Sequence, residues 1–173
     1  MTGSHEVRGS IPLGSTNICK SLVNIVSAAH VHLLLNHIPI LGSIFGLLLL
    51  LYAMLIGSDE IKKVCFGVFV ITALITIPVY LTGDGAARIV HTLPGVSEDI
   101  IREHDSAATI TMVAVELLGV ASLLSLWFSR KGQTLAGWLL VTVLVLAVIA
   151  GGLAVWTGGL GGQIRHTEVR AQP

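Results

Sequence analysis

Four long apolar stretches divide this chain. The first runs from about Val31 to Ile56 and ends at Gly57-Ser58-Asp59-Glu60, a turn followed by charges that hydrocarbon does not accommodate. The second runs from Val64 to Thr82 and stops at Gly83-Asp84-Gly85. The third runs from about Ala107 to Phe128 and stops at Ser129-Arg130-Lys131-Gly132, and the fourth from Leu135 to Thr157. Each is close to the ~20 residues that a helix needs to cross a bilayer. The connections after the first and third are short and force antiparallel neighbours, so the pattern predicts an all-α, integral membrane, up-down-up-down four-helix bundle. Ser97-Glu98-Asp99 reads as an earlier start for helix three, with a capping serine and first-turn acids. Gly158-Gly159-Leu160-Gly161-Gly162 reads as a flexible end of helix four that lets the chain turn and bring His166 back over the bundle.

The same pattern sets the organisation. Residues 1–29 form an N-terminal tail or interfacial segment, 30–168 the four-helix transmembrane domain, and 169–173 a C-terminal tail. The first strongly apolar run, from Val31, is of spanning length and no small-residue cleavage site follows it, so a cleavable leader is not expected. Gly42 with Gly46, and Ala147 with Gly151, have the four-residue spacing of small residues that lets membrane helices approach. Pro39 and Pro78 interrupt helices one and two near one membrane face. No internal repeat is evident in the residues.

Composition agrees with a bilayer as solvent. Hydrophobic residues make up 53% of the chain and charged residues 12%, against about 25% charged in soluble domains, and the mean hydropathy is +0.85. A formal net charge of zero leaves no basic surplus for nucleic acid. Cys19 and Cys65 are too few and too far apart for a disulfide framework or a thiolate metal site. Lys62, Lys63, Arg130 and Lys131 lie by the loops after helices one and three, which favours a cytoplasmic position for those loops and places both termini on the periplasmic side. The opposite face carries Asp84, Glu98, Asp99, Glu103, Asp105 and Glu168 against Arg88, Arg102, Arg165 and Arg170.

Histidines carry the chemistry. His5 lies in the tail, and the remaining six, His30, His32, His37, His91, His104 and His166, all fall at one end of the predicted bundle. Neutral imidazole is the usual protein ligand of haem iron, zinc and copper, and a bundle core lets ligands converge from facing helices. Helices one and three are diagonal in such a bundle, so His37 and His104 are expected to point across it and sandwich a planar macrocycle. Their heights differ by about 8 to 10 Å at about 1.5 Å per residue, a gap that tilt or the Pro39 kink would have to close. His166 or His91 is a substitute ligand, Arg88 and Arg165 are candidate partners of haem propionates, and Gly42, Gly46 and Ala108 offer room. His30 and His32, two apart, point to different sides of a helix and are weighed mainly as interfacial residues. Glu116 lies near the middle of helix three, where an ionisable group is costly; it is a candidate proton relay or a helix clamp, about 120° round from His104.

The segments His30-Val31-His32, Asn36-His37-Ile38-Pro39, Leu81-Thr82-Gly83, Glu103-His104-Asp105-Ser106-Ala107 and Leu160-Gly161-Gly162-Gln163-Ile164-Arg165-His166 occur in that order. Together they resemble an uncharacterised family of bacterial four-helix membrane proteins with His-x-Pro in helix one, a His opening helix three, and Leu-Gly-Gly followed by His after helix four. The resemblance covers roughly residues 30–168. It implies a bacterial cytoplasmic membrane and picks out His37, His104 and His166, leaving His91 outside. After His166, Thr167-Glu168 stands where that pattern has glycine. The resemblance implies a topology and three histidines but no reaction. Four-helix b-type cytochromes with paired histidines are similar in architecture alone.

Three functions compete. The first is a membrane electron-transfer protein or redox-complex subunit that binds b-type haem, or another metal, at the periplasmic face and works between a quinol and a periplasmic cytochrome. The second is a cofactor-free structural or assembly subunit of a larger membrane complex, which suits the small-residue helix faces. The third is a small transporter or metal-handling protein, with Glu116 as relay. No nucleophile constellation, phosphate-binding loop or CxxCH motif is present.

Overall fold

The computed structural model describes residues 28–130 and 137–166. The tail residues 1–27 and 167–173, Cys19 and Lys131 lie outside the described residues. Four helices follow: α1 (His37–Leu55), α2 (Asp59–Val90), α3 (Glu98–Arg130) and α4 (Gly137–Arg165). A helical stretch, 28–35, leads into α1, and Asn36 between them keeps a helical conformation, with its N–H donating to the His32 carbonyl at 2.9 Å. The interruption there has a local cause: Pro39 has no N–H to offer the carbonyl four residues back. The whole segment Ala28–Leu55 is one of four helices long and apolar enough to cross a membrane, the others being Asp59–Val90, Glu98–Ser129 and Gly137–Ile164.

Helix α1 ends in a Schellman motif. Gly57 takes φ +69°, its N–H reaches Met54 O at 3.3 Å, and Ser58 N–H reaches Ala53 O at 3.0 Å. Ser58 then caps α2, its hydroxyl accepting from Ile61 N–H, and Asp59 and Glu60 follow in the first turn. One residue thus closes one helix and opens the next, and the two helices must run antiparallel.

Each helix packs on its neighbour in sequence, and α1 also packs on α4, closing a four-membered ring with α1 opposite α3 and α2 opposite α4. Buried positions on α1 recur at alternating steps of four and three: Pro39, Ser43, Gly46, Leu50 and Ala53. This is the seam spacing of left-handed helix packing. Gly42 and Gly46 are the contact points of α1 with α2, receiving Thr72 and Phe69 respectively. They are filled and leave no room for a ligand.

The inside and the outside of the bundle identify its solvent. Ser43, Thr72, Thr76, Thr111, Ser122 and Ser125 are buried, while Leu34, Leu55, Leu74 and Leu81 are among the many large apolar side chains that face outward. Water would not support such a surface; lipid does. Exposed Trp138 and Trp156 lie near opposite ends of α4, about 27 Å apart at about 1.5 Å per residue, close to the ~30 Å hydrocarbon thickness. Exposed Tyr52 and Trp127 lie near the ends of α1 and α3, where aromatic side chains favour the membrane interface. The protein is a multi-pass helical membrane protein.

Two sequence expectations about helix ends require correction. The apolar run stops at Thr82, yet α2 continues through Gly83-Asp84-Gly85 to Val90, and α4 continues through the glycines at 158–162 to Arg165. These glycines are packing positions: a Cβ at Gly158 would meet Ile40 of α1 at 2.5 Å, and one at Gly161 would meet His104 of α3 at 3.1 Å. Contacts from neighbouring helices outweigh the ~1 kcal/mol by which glycine disfavours a helix.

Candidate functional site

The seam that leads out of the core ends on two histidines. On α1 the four-three spacing carries Pro39 back to Asn36 and then to His32; on α3 it carries buried Thr111 back to Ala108 and then to His104. Both imidazoles are half-buried. His32 Nδ1 lies 2.9 Å from the carbonyl oxygen of Val79 on α2, and His104 Nδ1 lies 3.0 Å from that of Thr157 on α4. A carbonyl oxygen only accepts, so each Nδ1 carries a proton, and the tautomer this fixes leaves the Nε2 lone pair for another partner. The two histidines stand at one end of the bundle, His32 in the helical stretch that leads into α1 and His104 on α3.

Each accepting carbonyl is followed one turn later by a glycine beside the same ring. A Cβ at Gly83 would stand 3.8 Å from His32 Cε1, and one at Gly161 would stand 3.1 Å from His104 Cε1. The Thr82 hydroxyl donates to the Pro78 and Val79 carbonyls at 2.7 and 3.1 Å, while the Thr157 hydroxyl pairs with that of Thr111 at 2.7 Å. One turn below His32, the side-chain oxygen of Asn36 is buried without a hydrogen-bond partner among the described residues. Farther along, Phe66, Phe69, Leu50, Leu118, Val115 and Val143 close the core with large apolar side chains.

The other predicted residues are placed elsewhere. His37 is exposed on the outer surface and does not point across the bundle. Its position follows from the seam: two residues before buried Pro39, it falls about 200° round the helix from it, whereas His32, seven residues before, shares its face. His32 also offsets the height mismatch, because it lies five residues before His37, about 7.5 Å along a helix at about 1.5 Å per residue. His91 caps α2 and bonds through Nδ1 to Glu98 Oε1 at 2.8 Å, tying the ends of α2 and α3 together at the surface. His30 and His166 are exposed, as is Arg88; the side chain of Arg165 lies outside the described residues.

Glu116 lies on the flank of α3 that also carries Gly119, which meets Ala73 of α2. Its Oε1 is buried without a partner among the described residues. His104 reaches α4 instead, so the two do not form one constellation. Among the described residues no group of three or more His, Cys, Asp or Glu side chains converges.

No protein-family model matches this chain, and neither a curated protein nor a solved structure does so.

Proposed function

We propose that this protein is a membrane electron-transfer protein or redox-complex subunit that holds b-type haem between His32 and His104. One observation carries the reading: two imidazoles on diagonal helices, each with Nδ1–H fixed to a carbonyl of the adjacent helix and Nε2 left to bind. Metal-bound histidines are ordinarily held this way, because the second hydrogen bond fixes the tautomer, aims the ring and raises its basicity. Two donors are too few for a tetrahedral protein-built metal site. They suffice where a porphyrin supplies four further nitrogens.

Bound haem would supply a one-electron iron couple whose potential depends on axial ligands and burial. The chain's own residues do the rest. The Val79 and Thr157 carbonyls orient the rings, Gly83 and Gly161 keep Cβ atoms away from them, and the Phe69–Leu118–Leu50 layer closes the core beneath. The site lies at one edge of the hydrocarbon, within reach of a donor arriving from the lipid and an acceptor in the adjoining aqueous compartment. By the placement of Lys62, Lys63 and Arg130, that compartment is the periplasm. Arg88 is the described candidate for a propionate at that end.

The deciding experiment is the visible spectrum of the purified protein, oxidised and reduced. A sharp alpha band on reduction, lost in His32→Ala and in His104→Ala, is the expected result. A correctly folded preparation that neither contains haem nor takes up added hemin overturns the reading.

A further inference from the structure

The resemblance between the two histidines extends along the seam of each diagonal. The step along the chain that carries His32 to His104 also carries Pro39 to Thr111, Ser43 to Val115, Gly46 to Leu118, Leu50 to Ser122 and Ala53 to Ser125. Every residue in those five pairs is buried. On the other diagonal, the step from Val79 to Thr157 carries Cys65 to Val143, Phe69 to Ala147, Thr72 to Ala150, Ala73 to Gly151 and Thr76 to Ala154. These pairs are buried as well. The same step carries Gly83 to Gly161. The seam positions of α1–α2 therefore correspond in register to those of α3–α4, although no repeat of residue types accompanies them. Within each copy the same device recurs: a histidine, a carbonyl on the hairpin partner, and a glycine one turn beyond it.

In a ring of four helices, exchanging α1 with α3 and α2 with α4 is the operation of a half-turn about the bundle axis. His32 and His104 stand on opposite sides of that axis as matched donors. Gly83 and Gly161 stand on the other diagonal at the same level.

Resting on the haem reading above, we infer that the two hairpins are equivalent halves of one site, and that its ligand sits on the axis, one per chain. The ligand is a planar metallomacrocycle, which would be held by one imidazole from each hairpin, His32 and His104. A ligand that offers only one coordinating side does not match this arrangement. Asn36 has Ala108 as its counterpart, so the two halves differ one turn below the histidines.

The test is a hemin titration of the full-length protein in detergent, followed by absorbance, with His32→Ala and His104→Ala alongside. Expected are one hemin per chain, losses of affinity in the two variants equal to within about threefold, and recovery of the six-coordinate spectrum in both when imidazole is added. If either alanine variant fails to fold, His32→Gln and His104→Gln take its place. Loss of binding in one variant, with an unchanged low-spin spectrum in the other, overturns the equivalence and leaves the haem reading standing. Two hemins per chain have the same meaning. No uptake, or uptake undiminished in the double variant, overturns both.

Discussion

His104 lies against Gly161 so closely that a Cβ at position 161 would stand 3.1 Å from its Cε1, while its Nδ1 is held 3.0 Å from the Thr157 carbonyl one turn earlier on the same helix. Ring orientation thus depends on a backbone atom and on an absent side chain. Gly161→Ala is expected to displace the imidazole by a few tenths of an ångström and to broaden or shift the alpha band of the haem-loaded protein. Gly162→Ala, where a Cβ meets nothing within 4 Å, is the matched control. Identical spectra for the two variants would remove Gly161 from the site.

Replacing His37, His30 or His91 by Ala is expected to leave the haem spectrum unchanged, because all three are exposed. His91→Ala removes the contact with Glu98 at the α2–α3 connection, so any effect should appear in stability alone. A spectrum abolished by His37→Ala would contradict the assignment of His32.

The α1–α2 contact has no slack at Gly46, where Phe69 occupies the space of a side chain. Gly46→Val is expected to cost about 1–3 kcal/mol through overpacking, read by reversible unfolding in detergent. Gly67→Ala, with open space at its Cβ position, should be neutral or mildly stabilising. Equal behaviour of the two would mean that the helices do not meet as described.

Glu116 stands apart from the histidine pair, on the α2-facing flank of α3. Glu116→Gln is therefore expected to leave hemin affinity and the reduced spectrum unchanged. Electron-transfer turnover with a quinol analogue is the separate readout: a loss there with an intact spectrum would support the carboxyl as a proton carrier, and no loss would remove its claim to a proton role.

Topology can be read by thiol labelling in a Cys19→Ser background. A cysteine in place of Thr92 should react with an impermeant maleimide added from the periplasmic side, and one in place of Ser58 only after the membrane is opened. Cys65, fully buried, should stay unreactive until the protein is denatured. The reverse order of labelling would place the histidine end in the cytoplasm.

The helices were legible in the sequence because apolar runs of spanning length have few other uses, and the start of α3 because serine and acids announce it. Their far ends were not. Gly83-Asp84-Gly85 and the glycines at 158–162 resemble stop signals locally, and only the neighbours Ile40 and His104 show why helices continue through them. The histidine cluster is visible in the sequence as a position on one face, but depth in the apolar run favours His37 and does not say which side of the helix meets the core. The four-three steps outward from Ser43 and Pro39 lead to His32. The correspondence of the two hairpins is not written in residue types: buried positions match while their residues differ, as with Phe69 and Ala147 or Leu50 and Ser122.

The doubled hairpin also explains why the histidines share one side of the membrane. A unit with an even number of crossings returns the chain to the face where it began, so a second copy enters in the same orientation as the first. Had the unit crossed once or three times, its second copy would be inverted, and His32 and His104 would be separated by the full thickness of the bilayer. The parity of the repeating unit, rather than any attraction between the side chains, brings the two imidazoles to a common depth.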